Sequence, residues 1–315
     1  MSFSIDVKDE LTRVKGECAQ CDVAMLSALV QSLGTLHLQG QGKFSVQIAT
    51  ESASIARFVI KCLHDIFDLK TELTLRRNTL NKGPNYSIEL VAGKKLTDAL
   101  VYMGIFTKDK NGTHINEGGI AEKFRKKPCC SAAYLRGAFL GHGFISEPSG
   151  NFHFEIVFER ENLAREVVEF LHTSNVNANF CERRGKYLVY IKNGEGITEF
   201  LALTGAHKNA LKLEDVRVLK SIRNDENRKI NFEMANSARS ADAAAHQLQT
   251  IKRVVDYYGV KSLPASIRQF IQLRVADTEA SLAELGAMAD PPLSKSALYN
   301  RACRLEKMAA DIPKN

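Results

Sequence analysis

Two sets of side chains in this sequence are equipped for chemistry. The first is made of thiols. Cys18-x-x-Cys21 lies near the start and Cys129-Cys130 further on, in a chain of seven cysteines that also has Cys62, Cys181 and Cys303. Four thiolates are a ligand set for a soft divalent ion such as zinc. Adjacent cysteines, however, chelate one ion poorly without local distortion, and each pair leads into an apolar helical run. An odd count beside ample core-forming residues suits free cysteines in a reducing compartment. The expectation is buried thiols, with no metal and no cofactor. The second set is polar and basic: Ser294, Lys295, Ser296, Tyr299, Asn300, Arg301, Arg304 and Lys307. Hydroxyl, amide and guanidinium groups on one helix are those that meet phosphates and base edges.

The thiols stand at the heads of a repeated segment. Cys21–Leu36 aligns with Cys130–Ile145 at a constant offset of 109, setting cysteine on cysteine, Leu26 on Leu135 and Gly34 on Gly143. Both stretches have apolar or small residues at helical spacing and stop at a glycine suited to a C-cap. Lys43–His64 then matches Asn151–His172 at offset 108. In each, an alternating strand passes through a polar turn into an amphipathic helix. Arg76-Arg77 lines up with Arg183-Arg184 beside further strands, and Leu96 through Gly104 matches Ile197 through Gly205. Four matches in one order are an internal duplication of an α-β-β-α-β-β-α unit, about 1–108 and 109–215. Such pairs usually assemble about a pseudo-twofold axis. Ala28 and Ser32 in one copy, with Gly137 and Gly141 in the other, form a stripe of small residues along which two helices can approach closely.

Leu135-Arg-Gly-Ala-Phe-Leu-Gly-His-Gly143 resembles the nine-residue LAGLIDADG motif of homing endonucleases, and Leu26–Gly34 is a weaker form of it. The resemblance implies a central helix pair and a saddle of strands that straddles DNA. Arg76, Arg77, Arg183 and Arg184 are then candidates for secondary DNA contact. It also implies a metal-binding aspartate at the eighth motif position, but Leu33 and His142 stand there, with Gln31 and Leu140 at the sixth. Phosphodiester hydrolysis of that kind needs carboxylate oxygens to hold hard metal ions. Leucine supplies no ligand, and histidine alone is a poor magnesium site. Glu17 and Glu147 lie nearby in sequence, yet neither occupies the motif position. No catalytic residue is expected, and His142 is expected to be a satisfied helix-end residue.

Beyond Glu214 the strand patterns vanish. Residues 216–236 form a connector rich in Asn and Arg, whose Arg223 and Arg228 are further candidates for phosphate contact. Residues 237–315 are read as a helical domain. An Ala-rich helix ends at Gly259, and a second runs over Pro264–Val275. The capping box Ser281-Leu-Ala-Glu284 opens a short helix over Leu282–Met288. Asp290-Pro-Pro-Leu-Ser294 breaks the chain, and Ser294 can cap a final helix through about Met308. This is a helix-turn-helix over about 280–310. Leu298, Ala302 and Leu305 face the support helix, leaving the polar and basic set outside.

Composition agrees with this layout. At 315 residues, 44% hydrophobic and 25% charged, the chain is neither a disordered tail nor a fibrous repeat. No apolar run approaches the roughly 20 residues of a membrane span. Acids near the N-terminus, where a signal peptide would be basic, lead us to expect a cytoplasmic protein. The net charge of +7 is uneven: residues 1–215 hold 27 basic and 25 acidic side chains, and residues 216–315 hold 16 and 11. That excess suits a polyanionic partner.

The fold class expected is α+β, a duplicated αββαββα LAGLIDADG-like domain followed by an all-α helix-turn-helix domain. That pairing resembles the WhiA family of sporulation and cell-division regulators. The likeness spans nearly the whole chain and includes Ala133–Leu140, Gly205–Lys208, Arg223-Asn224, Asn227-Arg228, Ala235-Asn236, Ala280–Gly286 and Ser294–Ser296. It implies nucleoid-associated regulation of transcription through promoter DNA, linked to septation, chromosome segregation and, in spore formers, sporulation. RNA polymerase or a sigma factor is the implied protein partner. No membrane or small-molecule substrate is implied.

Overall fold

A computed structural model describes residues 2–40, 43–77, 84–109, 112–116 and 119–313. It divides into two compact units, Met1–Lys220 and Ser221–Asn315. The first opens with α1 (Phe3–Leu11), followed by α2 (Ala19–Leu33), β1 (Gly34–Gly40), β2 (Lys43–Thr50), α3 (Ala53–Phe67), β3 (Glu72–Arg77), β4 (Pro84–Leu90) and α4 (Lys94–Tyr102). A hairpin of β5 (Phe106–Asp109) and β6 (Gly112–Ile115) and a short α5 (Glu122–Arg125) lead to the second copy. That copy is α6 (Pro128–His142), β7 (Gly143–Ile145), β8 (Phe154–Phe158), α7 (Glu161–Thr173), β9 (Asn179–Arg183), β10 (Lys186–Ile191) and α8 (Gly194–Thr204). The two antiparallel sheets share one topology, β1-β2-β4-β3 and β7-β8-β10-β9. The expected α+β duplication is therefore present, element for element.

Alternation along the strands fixes which face of each sheet is buried. Val46, Ile48, Ile88 and Leu90 line the core side of one sheet, and Phe154, Ile156, Val189 and Ile191 that of the other. Phe139, Phe154 and Phe200 pack together beneath the second sheet, with ring centroids 4.4–5.6 Å apart. Between the sheets, α2 and α6 run side by side in the same direction. A Cβ on Gly137 would lie 2.3 Å from the Met25 carbonyl oxygen, and one on Gly141 would lie 2.6 Å from Ser32 Cβ. The small-residue stripe is thus where the two backbones nearly touch.

The glycines that end these helices are not left-handed caps. Gly34 and Gly143 are extended, with φ of −83° and −82°, because the chain turns directly from helix into strand. Glycine is required for space: a Cβ on Gly34 would meet the Val30 carbonyl oxygen at 2.3 Å, and one on Gly143 the Phe139 ring at 2.1 Å.

Carboxylates hold two other helix starts. Glu147 Oε1 accepts the Phe3 N–H at the head of α1 at 2.7 Å. Glu10 accepts the backbone N–H groups of Lys208 and Asn209 at 2.8 and 3.1 Å, at the head of α9 (His207–Tyr258). An anion at a helix N-terminus meets unpaired N–H groups and the positive end of the helix dipole. Helix α9 contains the segment 216–236 that the sequence suggests is a connector, and residues 221–235 are all exposed.

The second unit adds α10 (Ala265–Ala276), α11 (Leu282–Ala287) and α12 (Lys295–Ala310). Its core comprises Ile251, Val254, Ile267, Phe270, Leu285, Leu298, Ala302 and Leu305. Among the described residues, no helix is long and apolar enough to cross a membrane.

Candidate nucleic-acid interface

The helix-turn-helix is built from capped helices and one tight glycine. Ser281 Oγ accepts the Glu284 N–H at 3.3 Å while Glu284 Oε2 accepts the Ser281 N–H at 2.7 Å, completing the capping box. The same contact holds the Glu284 carboxyl below its usual pKa. In the turn, Leu293 N donates to the Gly286 carbonyl at 2.9 Å, and a Cβ on Gly286 would lie 2.2 Å from the Leu293 carbonyl oxygen. Only glycine lets α11 and the chain entering α12 close this far.

The candidate residues on α12 then separate. Lys295, Ser296, Tyr299, Asn300, Arg304 and Lys307 are exposed. Ser294 is the N-cap, its hydroxyl accepting the Ala297 N–H at 3.2 Å. Arg301 is half-buried, and its Nη1 donates to Gln269 Oε1 of α10 at 2.8 Å. The free face of α12 thus carries three cations, an amide, a hydroxyl and a phenol. Arg301 braces two helices.

In the first unit, Leu33 and His142 end the paired helices at one side of an open groove of about 1180 Å³. Lys8 of α1 lines the same groove, and burial lowers its pKa to about 8. His142 is exposed as a residue. Even so, desolvation of its ring, then repulsion from Lys8 and Lys186, hold its imidazole below the usual histidine range, against an opposing pull from Glu159. A leucine, a histidine and a cation do not fit a hard divalent ion. The two nearby glutamates offer no substitute. Glu147 is engaged at the head of α1, while Glu17 precedes α2 and so lies about 20 Å along that helix from Leu33, at 1.5 Å per residue. At the sixth motif position, Gln31 Oε1 accepts from Arg160 Nη2 at 2.8 Å, tying α2 to the start of α7.

The strand arginines occupy edge strands. Arg76 of β3 and Arg183 of β9 alternate in phase with the solvent face of each sheet, and both are exposed. Arg184 sits at the tip of the two-residue β9–β10 turn, where it and Gly185 have φ of 54° and 71°, as a type I′ hairpin requires. Arg77 closes β3, and its side chain lies outside the described residues. The open faces also carry Glu72, Glu89 and Glu155, so they are mixed in charge. On α9, Arg223 is exposed, and Arg228 Nη1 is 3.4 Å from Asp225 Oδ1.

Comparison with known proteins bears on both units. Residues 19–102 match the WhiA N-terminal LAGLIDADG-like domain, 131–223 the WhiA LAGLIDADG-like domain, and 227–309 the WhiA C-terminal HTH domain. The probable cell division protein WhiA of Alkaliphilus metalliredigens is 36% identical over 98% of both chains. That of Heliobacterium modesticaldum is 38% identical over 98% of this chain and 96% of its own. The chain belongs to the WhiA family. The fold agrees with the crystal structure of full-length DUF199/WhiA from Thermatoga maritima, with a TM-score of 0.58 and 22% identity over the whole of both chains.

Within this WhiA-family chain, one positioning residue escaped the sequence reading. Arg274 of α10 is the largest fully buried side chain. Its Nε donates to Gln247 of α9 at 3.0 Å and its Nη1 to the Ala280 carbonyl at 2.5 Å, so it fixes the loop entering the helix-turn-helix. Burial lowers its pKa. The one sequence signal was an arginine in phase with the apolar face of α10, beside Phe270 and Ile271.

Proposed function

We propose that this protein is a non-catalytic, DNA-binding regulator of transcription. It acts in bacterial cell division and chromosome segregation and, in spore formers, in sporulation. The observation that carries the reading is the free face of α12, with Lys295, Asn300, Arg304 and Lys307 exposed on a helix whose other face is locked into the helix-turn-helix core. Residues 280–310 are the reading head. Ser296, Tyr299 and Asn300 meet base edges near the helix start, and Arg304 and Lys307 meet phosphates. Residues 1–215 form a docking platform, joined through 216–236 to the helical domain 237–315. Arg76, Arg77, Arg183, Arg184, Arg223 and Arg228 supply secondary phosphate contacts. The ligand is double-stranded promoter DNA in the nucleoid of the cytoplasm, with RNA polymerase or a sigma factor as protein partner. Leu33 and the cation Lys8 at the former metal position support the absence of nuclease activity.

Chromatin immunoprecipitation of the full-length protein tests the reading. Promoter-centred enrichment that disappears in a Lys295→Ala/Arg304→Ala/Lys307→Ala variant is expected. Diffuse signal along the chromosome would replace the regulator with a nucleoid or division scaffold. Magnesium-dependent cutting of plasmid DNA by the purified protein would overturn the non-catalytic assignment.

A further inference from the structure

The cysteines read as ordinary buried thiols converge on one point. Cys18 is the N-cap of α2 and Cys21 lies in its first turn; Cys129 and Cys130 lie in the first turn of α6, behind Pro128. Cys18 Sγ is 3.5 Å from Cys21 Sγ, 3.5 Å from Cys130 Sγ and 3.8 Å from Cys129 Sγ. All four sulfurs lie within 4.8 Å of one another, the one such grouping of potential metal ligands among the described residues. We propose that Cys18, Cys21, Cys129 and Cys130 bind a structural zinc ion that clasps the two copies of the duplication together at the heads of their central helices.

The geometry fits a single tetrahedral ion. Zn–S bonds of about 2.3 Å give a tetrahedron with edges of about 3.8 Å, close to the three distances above. A multi-iron cluster interposes several metal atoms and spreads its sulfurs wider. A disulfide requires two sulfurs at about 2.05 Å, far inside any pair here. Adjacent cysteines serve because Cys18 comes from a separate loop and closes the set from outside. Gly16 makes that loop possible, since a Cβ there would lie 2.6 Å from Cys21 Cβ.

The electrostatics suit thiolates. Two fifteen-residue helices direct their N-termini at the cluster, and their free N–H groups and dipoles favour negative charge. Arg136 of α6 is buried with Nη1 lacking a hydrogen-bond partner, and Cys21 is the charge that acts on it most strongly. The backbone N–H of Gln20, then the neighbouring thiols, hold Cys18 at about 7, so it ionises near neutrality. Burial raises Cys21 and Cys130, whose protons the ion displaces. Binding of Zn²⁺ by four thiols forms four Zn–S bonds and releases four protons, so affinity rises with pH.

The full-length protein, purified without chelator, is expected to contain about one zinc per chain by mass spectrometry. After removal of that metal, cobalt(II) is expected to give the intense thiolate-to-metal absorption and red d–d bands of tetrahedral sulfur coordination. Cys18→Ser and Cys129→Ser, both at the half-buried rim, are expected to lower zinc affinity at least about tenfold, whereas Cys181→Ser leaves it unchanged. If Cys18→Ser fails to fold, the cobalt spectrum of the wild-type chain still decides. Four titratable thiols with no metal uptake, iron in place of zinc, or a disulfide among the four would each overturn the proposal. None of these readouts involves DNA, so the result is independent of the regulatory reading.

Discussion

Lys8 places an ammonium beside Leu33 and His142, and its burial holds the pKa at about 8 against an ordinary 10.5. Between those values the unfolded chain keeps a proton that the folded protein has shed, so stability rises with pH across about 8 to 10.5. Lys8→Met is expected to abolish that rise and to stabilise the fold at pH 7 by of order 2 kcal/mol, measured by urea unfolding at several pH values. An unchanged pH profile would mean that the ammonium is not desolvated. On α12, two arginines one turn apart are expected to behave differently. Arg304→Ala should weaken DNA binding and reduce the salt slope by about one, with little change in thermal stability. Arg301→Ala should cost about 1 kcal/mol of stability through its lost bond to Gln269. Sequence spacing placed both arginines outside the core. It could not show that Arg301 reaches back to α10, since that contact spans 32 residues.

The two central helices are where element-level packing is most demanding. Gly137→Ala forces a methyl against the Met25 backbone carbonyl, which has no flexible end to give way, and is expected to cost about 3 kcal/mol. Gly150→Ala, whose nearest atom is at 3.6 Å, should be nearly neutral in the same thermal melt. Equal effects would show that the helices separate more readily than this packing allows. Much at this scale was legible beforehand: the strand alternation, the capping boxes and the small-residue stripe are local patterns with local causes. Gly34 and Gly143 were legible as glycines, but their reason was not. A C-cap and a tight helix-to-strand turn both call for glycine, and only the extended backbone separates them. The cysteine cluster was hidden for a related reason. Cys18 and Cys130 are 112 residues apart, and only the helix pairing sets their sulfurs together.

For the molecule as a whole, the modest charge of +7 understates a local imbalance, since most of the excess belongs to the last third of the chain. Affinity carried by phosphate contacts of α12 should fall steeply with salt, with a slope near −0.9 for each phosphate engaged. The Lys295→Ala/Arg304→Ala/Lys307→Ala variant should show a slope shallower by about three while retaining the wild-type melting temperature. A slope unchanged by the triple substitution would move the phosphate contacts to another surface. Substitution is a cleaner probe than deleting residues 276–315. Leu285, Leu298, Ala302 and Leu305 belong to the core of the helical unit, which such a deletion would also destroy.

A symmetric dimer must satisfy both sides of its axis with one residue. Fusion into a single chain removed that constraint, and the central helices record it: Gly137 and Gly141 are hollows where Ala28 and Ser32 are knobs. Two copies of the second half would meet hollow to hollow across a void, and two of the first half knob to knob in collision. Each half has therefore lost the ability to pair with itself. The gene fusion works as a ratchet, because a lineage that discarded either half could not return to an ancestral homodimer without rebuilding the axis.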